Sequence, residues 1–273
     1  EFSESISTHQ GLQIPKYGDI KSMNPEDLGN FMRSRSGINM ENQKKMTSPS
    51  QALKTWIRFI ESVGIYVAQY PLSLEDNIRA FSIHKDERAI IVLNSIDVFE
   101  GRIFSLFHEF GHLLRRSYGF CDLDNSRSSF TEVFCNAFSA AFLVPEDFIV
   151  QYIKEYGRIR FIEELDKNVA GLARLLKVSR LVIYRRLSTL GLISESNYSK
   201  IHEALIREFA RTPSEKTGEG GPDYYKIRWL RNGASYSKNV FEAMHSGEIT
   251  AFEAGAALGI SAQNLDKYRN ETA

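Results

Sequence analysis

The chain has 273 residues, of which 42% are apolar and 25% charged, and its 34 basic residues balance 34 acidic ones. This composition is typical of a folded globular protein and excludes a disordered tail, a collagen-like repeat and a disulfide-stapled miniprotein. No run reaches the roughly 18 apolar residues of a membrane helix, no signal peptide opens the chain, and two cysteines, Cys121 and Cys135, predict a reducing compartment, expected to be the cytoplasm.

The first third of the chain predicts helices followed by a small sheet. One helix is predicted to begin at Pro25, directly after the N-cap residue Asn24. Another is expected over 50–63, where apolar residues recur at helical spacing until Gly64 ends the pattern. Three runs rich in β-branched and aromatic residues then predict a small antiparallel sheet, and they cover 65–70, 78–83 and 89–93.

From residue 99 onward the pattern is helical. The predicted helices span 102–116, 131–144, 146–156, 170–176, 179–190 and 197–210. A Gly-rich linker at 212–222 precedes a last helical module. The fold class is therefore predicted to be α+β and mostly α.

The chemical signal in these helices is the sequence His108-Glu109-Phe110-Gly111-His112. Residues i and i+4 share one face of a helix, so the two histidines can bind a single Zn²⁺. Glu109 is turned by about 100° from His108, which suits a carboxylate that hydrogen-bonds the attacking water without binding the metal. The alternative is a pair of ordinary helix histidines.

A third metal ligand is predicted at Glu132, twenty residues past His112. Glu132 and Asn136 are again four residues apart and point the same way on the next predicted helix. The carboxylate completes a His₂Glu site with an open position, and Asn136 is expected to orient one histidine through its second ring nitrogen. The alternative for Glu132 is an ordinary acid at a helix start, with rival carboxylates at Asp122, Asp124, Glu146 and Asp147.

These residues resemble the ImmA/IrrE family of metallopeptidases. The resemblance rests on the motif at 108–112, on the later pattern Glu-x-x-x-Asn-Ala-Phe-x-Ala-x-Phe-Leu-Val-Pro, and on the strand at 90–93, and it spans 24–192. It implies a zincin-like fold, in which a small sheet accompanies the motif helix and the glutamate helix. By residue it implies His108, His112 and Glu132 as ligands, Glu109 as base and Asn136 as support.

In function, the resemblance implies a cytoplasmic, zinc-dependent, site-specific endopeptidase that cleaves a helix-turn-helix repressor. Cleavage would switch on a stress, phage-defence or mobile-element response. Zn²⁺ is the expected cofactor, and a His₂Glu site also accepts Mn²⁺. Many members carry a DNA-binding domain ahead of the peptidase; none is visible after Glu1, and whether one is missing stays open.

The expected domains follow from the resemblance and the linker. They are an N-terminal segment packed on the core at 1–50, the metallopeptidase core at 51–156, a helix-turn-helix-like domain at 157–211, and a C-terminal helical module at 223–273.

Two residues between the metal helices are further candidates. Tyr118 is a candidate oxyanion donor, as are His84 and His202, and the alternative for each is an ordinary surface or core side chain. Cys121 is a candidate inhibitory fourth ligand, because thiolates bind zinc strongly. Its alternative is a small buried thiol.

Residues 167–194 contain six basic residues and no acid. The segment resembles a helix-turn-helix, and a structural three-helix unit is the alternative. Lys177 stands where glycine is usual. A second such phrase at 254–261 has few basic neighbours, which favours protein contact or self-packing. The candidates for nucleic-acid contact in the first segment are Arg180, Tyr184, Arg185 and Arg186.

Two other functions stay open. A non-catalytic regulator would bind DNA or a repressor and use zinc structurally, so its metal site would lack an open position. A broad-specificity peptidase would cleave casein, which an enzyme with one partner should ignore. The oligomeric state stays unknown.

Overall fold

The computed structural model describes residues 20–72, 78–85, 88–117, 125–211 and 223–272. They form a three-stranded sheet and fourteen α-helices, and this mostly helical α+β arrangement confirms the predicted fold class. The helices are α1 (Pro25–Ser36), α2 (Met40–Lys44), α3 (Pro49–Ser62), α4 (Phe99–Ser117), α5 (Asn125–Leu143), α6 (Glu146–Tyr156), α7 (Arg158–Glu163), α8 (Leu165–Leu176), α9 (Arg180–Thr189), α10 (Glu195–Arg211), α11 (Tyr224–Asn232), α12 (Ala234–His245), α13 (Ala251–Leu258) and α14 (Leu265–Thr272).

Among these described residues, no single helix combines the length and the apolar character of a membrane span. One pair bent by 60°, Phe130–Leu143 with Glu146–Tyr156, meets that test only when the two helices are taken together.

The sheet is mixed. Its strands are β1 (Ile65–Tyr70), β2 (Ala80–Lys85) and β3 (Arg88–Asn94), in the order β1-β3-β2. β3 pairs parallel with β1, placing Ile91 opposite Val67, and antiparallel with β2, placing Val92 opposite Phe81. The predicted antiparallel arrangement is therefore wrong for the β1–β3 pair. β3 takes the centre because its apolar run is almost wholly buried, whereas the more exposed β2 takes an edge.

The described residues fall into two compact units, and the first combines 57–97 with 223–272. In this unit α11 and α12 pack on β1. Gly233, between the two helices, has φ 81°, and a Cβ there would lie 2.2 Å from the Val67 carbonyl oxygen, so the contact requires glycine. The Ser235 amide donates to the Glu61 carboxylate at the start of α12 (3.1 Å), and burial raises the pKa of Glu61. The predicted four-part domain division stays a prediction.

The second unit combines 20–56 with 98–211, and α5 is packed by α1, α4 and α9. Trp56 meets Phe107 and Phe142 edge-on at 5.5 Å, and the two phenylalanines stack at 4.0 Å. Arg33 donates to the Phe142 carbonyl at the end of α5 (2.8 Å), and burial lowers the pKa of its guanidinium to about 10. This buried cluster joins α4 to α5 behind the predicted metal ligands.

Candidate metal centre

The motif helix α4 separates an apolar face from a face with two histidines. Phe107, Phe110 and Leu114 are fully buried. The side chains of His108 and His112 keep 17% and 16% of their surface exposed. The spacing of four residues thus keeps both imidazoles beside the core and still open to solvent.

Helix α5 brings Glu132 to both histidines. Glu132 Oε2 lies 3.1 Å from His108 Nε2, and Glu132 Oε1 lies 3.1 Å from His112 Nε2. The two Nε2 atoms are also 3.1 Å apart. Because the Glu132 side chain is 52% exposed, the point on which these atoms converge faces solvent.

The donor set fits a divalent metal ion. Two donors bound to a tetrahedral ion at about 2.1 Å lie about 3.4 Å apart, close to the separations above. Among the described residues, these three side chains form the His, Cys, Asp or Glu group whose ligand atoms all lie within 4.8 Å of one another. The rival carboxylates Glu146 and Asp147 begin α6 and lie outside this group. Two imidazole nitrogens and one carboxylate are typical of catalytic zinc sites, which keep a fourth position open.

Asn136 lies where the sequence predicts it, one turn after Glu132 on α5. Its Oδ1 is 3.1 Å from His108 Nδ1. A proton on Nδ1 makes this a hydrogen bond and leaves the Nε2 lone pair for a metal. Glu109 is partly buried on α4, one position past His108 and outside the three-ligand group.

The comparison with known families agrees with this geometry. Residues 60–188 match the family model described as the IrrE N-terminal-like domain, a peptidase family. The chain contains an ImmA/IrrE metallopeptidase domain. The match extends from the end of α3 nearly to the end of α9, so it includes the sheet and both metal helices, and it confirms the resemblance. No curated protein matches the chain significantly.

The helix-turn-helix-like segment of the ImmA/IrrE domain has the expected turn, but other helices pack over its second helix, α9. Lys177 adopts the left-handed conformation (φ 57°) that glycine usually takes at a helix end, and the Ser179 hydroxyl caps α9 by accepting from the Val182 amide. Helices α5, α8 and α10 pack against α9, in which Thr189 alone is exposed. A recognition helix needs an open face to enter a DNA groove, so this burial argues against the predicted nucleic-acid contact.

Two of the four candidate nucleic-acid-binding residues are buried and bond to other parts of the chain. Arg186 is 0% exposed; its Nε donates to the Val144 carbonyl (2.7 Å), and its two Nη atoms donate to the Glu26 carboxylate (2.5 and 2.6 Å). Tyr184 is buried and donates to Asp166, and burial together with this carboxylate raises the pKa of Tyr184. The expectation that these two side chains face phosphate is corrected accordingly.

The other two candidates remain partly exposed and also have partners within the chain. Arg180 Nη2 lies 2.8 Å from Glu208 Oε1. The Arg185 guanidinium lies 4.3 Å above the ring centre of Tyr198.

The other candidate site residues are not part of the three-ligand group. Tyr118 and Cys121 lie outside the described residues. His84 is exposed on β2. His202 lies on α10, where its ring packs against Tyr198 at 5.7 Å.

Proposed function

We propose that this chain is a zinc-dependent, site-specific endopeptidase that cleaves a helix-turn-helix repressor in the cytoplasm. Cleavage would relieve repression in a stress, phage-defence or mobile-element response. The observation that carries the proposal is the meeting of two imidazole nitrogens and the Glu132 carboxylate at 3.1 Å, within a peptidase-family domain. The family resemblance supports the choice of a repressor as substrate.

The exposure of the ligand group favours catalysis over a structural metal. A structural zinc site is closed by four protein ligands, whereas a hydrolytic site leaves one position for water or substrate. Among the residues that the structure describes, three side chains supply the ligand atoms, and Glu132 is 52% exposed. Nucleic acid is left out of the proposed partners because α9 has one exposed residue, Thr189.

Each side chain of the site has its own task. When bound, Zn²⁺ (or Mn²⁺, where it is more available) supplies a Lewis acid that polarises the scissile carbonyl and acidifies the attacking water. Glu109 accepts a proton from that water and delivers it to the leaving amine, since it lies beside His108 without joining the ligand group. Asn136 holds His108 in the tautomer whose Nε2 faces the ligand group. Tyr118 is the proposed donor to the developing oxyanion.

The decisive variant is Glu109→Gln. The parent and the variant are incubated with a purified candidate helix-turn-helix repressor, and cleavage is followed by mass spectrometry. We expect cleavage to fall by about 10²–10⁴-fold, the usual contribution of a general acid–base group, while bound zinc measured by metal analysis stays at the parent level. Glu146→Gln changes an exposed glutamate in the first turn of α6 and serves as the control, with cleavage unchanged.

Three outcomes would change the proposal. Cleavage retained by Glu109→Gln would remove Glu109 as the base. Casein cleaved as fast as the repressor would replace the site-specific enzyme with a broad-specificity peptidase. Regulation that persists in Glu109→Gln would support the non-catalytic regulator. Separately, Cys121→Ser tests the proposed inhibitory ligand, and we expect higher basal cleavage and altered metal coordination.

A further inference from the structure

Gly111 lies between the two histidines of α4, at a close contact of this helix with α5. A Cβ on Gly111 would lie 3.0 Å from Phe138 Cδ1, 3.2 Å from Cys135 Sγ and 3.4 Å from Cys135 Cβ. Such contacts are tighter than a side chain normally makes, so the Phe138 and Cys135 side chains of α5 would have to give by a few tenths of an ångström. Glycine weakens a helix interior, and this close approach is a physical reason for its presence.

The contact involves the part of α5 that holds the proposed ligand. Cys135 is three residues past Glu132 and directly precedes Asn136, and both Cys135 and Phe138 are fully buried. On a helix, a displacement at Cys135 is shared by its neighbours one turn away. Because the two buried side chains have no free space to turn into, they pass the shift to the α5 backbone, and this moves the Glu132 carboxylate away from the histidine nitrogens, which are now 3.1 Å distant.

We infer that Gly111 is a positioning residue that sets the separation of α4 and α5 at the value a metal requires. Metal–ligand distances tolerate deviations of about 0.2 Å, less than or similar to the movement that a Cβ would impose. The inference rests on the proposed metal function and adds a residue that touches neither metal nor substrate. The size of residue 111 then controls metal affinity through the position of Glu132.

Two other glycines of the same unit provide matched controls. A Cβ on Gly29 of α1 would lie 2.8 Å from Ala141 Cβ, a tighter contact with the same α5. Ala141 is nine residues past Glu132, about 13 Å along the helix at 1.5 Å per residue. A Cβ on Gly171 of α8 would meet no atom within 4 Å.

The experiment measures zinc affinity by competition with a chromophoric chelator, and thermal unfolding of the metal-free protein, for three full-length variants. We expect Gly111→Ala to bind Zn²⁺ about 10–100-fold more weakly than the parent, the loss typical of groups that orient metal ligands. Gly29→Ala should lower the unfolding midpoint and keep the parent affinity. Gly171→Ala should raise the midpoint slightly, since alanine favours helix, and should also keep the affinity.

A rescue variant separates positioning from a general loss of packing. Phe138→Val removes the Cδ1 atom that the new Cβ would touch first. Gly111→Ala combined with Phe138→Val should bind Zn²⁺ more tightly than Gly111→Ala alone, although the core has lost volume. A double variant that binds no better would overturn the inference.

The remaining results separate this inference from the proposed function. Parent affinity in Gly111→Ala, with a loss in Glu132→Ala, would overturn the role of Gly111 and leave the metal site standing. Equal zinc affinity in the parent and Glu132→Ala would instead overturn the metal site itself. If Gly29→Ala lowers zinc affinity as much as Gly111→Ala does, the effect of Gly111 is one of general packing on α5, and its positioning role is overturned.

Discussion

Two helix pairs in the second unit carry similar sequence signals and differ in what their polar side chains face. On α4 and α5, His108, His112 and Glu132 converge at 3.1 Å beside solvent. On α8 and α9, Tyr184 and Arg186 turn inward and bond to the chain itself. The exposed fraction of the side chain is 52% for Glu132 and 0% for Arg186.

The comparison shows that the same residue types have different roles depending on burial. A buried guanidinium needs hydrogen-bond acceptors from its own chain, and Arg186 finds them in Glu26 and Val144. The donors of the α4–α5 pair instead meet one another beside solvent, with the spacing of ligands around a divalent ion. A cluster of polar residues therefore indicates a binding site only when its atoms converge at an accessible point.

The largest expected effect is on stability, through Arg186. Arg186→Met removes the donor to the Val144 carbonyl and leaves the Glu26 carboxylate with the Asn30 amide. Loss of one member of a buried pair typically costs about 3–5 kcal/mol, and we expect the low end, about 3 kcal/mol, because Glu26 is 26% exposed. Chemical denaturation measures the free energy of unfolding. The neighbouring Arg185→Met, which removes a partly exposed side chain stacked on Tyr198, is the control and should cost less. Equal costs would contradict the structural role of Arg186.

Glu132→Ala should lower zinc affinity and leave the stability of the metal-free protein unchanged. Four-ligand zinc sites bind with about 10–16 kcal/mol, or about 2.5–4 kcal/mol per ligand, so zinc affinity should fall by about 70-fold or more. The metal-free protein should keep its stability, because the side chain is 52% exposed. Chelator competition and denaturation on the same samples give both quantities. If Glu132→Ala lowers stability and leaves zinc affinity unchanged, Glu132 has a structural role like that of Arg186, and the contrast between the two helix pairs is wrong.

Asn136→Ala should have a smaller effect on the metal. Loss of the bond to His108 Nδ1 frees that ring, and we expect zinc affinity to fall by about 10–100-fold. Asn168→Ala is the matched control on α8, where the amide donates to the Phe161 carbonyl. The control should reduce the stability of the protein and leave zinc affinity at the parent value. Reduced zinc affinity in Asn168→Ala would mean that the α8–α9 helix pair influences the site on α4 and α5.

The smallest effect is expected at Arg180, which is partly exposed and pairs with the exposed Glu208. Arg180→Ala should change the free energy of unfolding by less than about 1 kcal/mol. A gel-shift assay with duplex DNA at low salt should give the same result for the parent and the variant. A clear shift that disappears in Arg180→Ala would restore nucleic-acid contact to this segment.

Several features of the fold follow from local sequence alone. The helix of the metal motif is evident from its apolar period, and Asn24 caps α1 as the sequence indicates. The turn at Lys177 is also correctly located, although a non-glycine residue occupies it. These features involve residues within a few positions of one another, so spacing is enough to predict them.

Pairings between distant residues were not predictable. The parallel pairing of β1 with β3 depends on which strand is buried between two others, and each strand has the same composition signal. Glu26 and Arg186 are separated by 160 positions, and no local pattern connects them. The contact of Gly111 with Cys135 and Phe138 likewise appears only when two helices pack.

Local sequence is enough to predict the candidate metal ligands, because a spacing of four residues on a helix brings two side chains to one face whatever surrounds them. The mostly helical α+β class is predicted from sequence in the same way. Which polar clusters stay accessible is visible only in the folded chain, since burial depends on neighbours supplied by other elements. For this reason Glu132 faces solvent beside two histidines, while Arg186, predicted to face phosphate, is held by Glu26 in the interior.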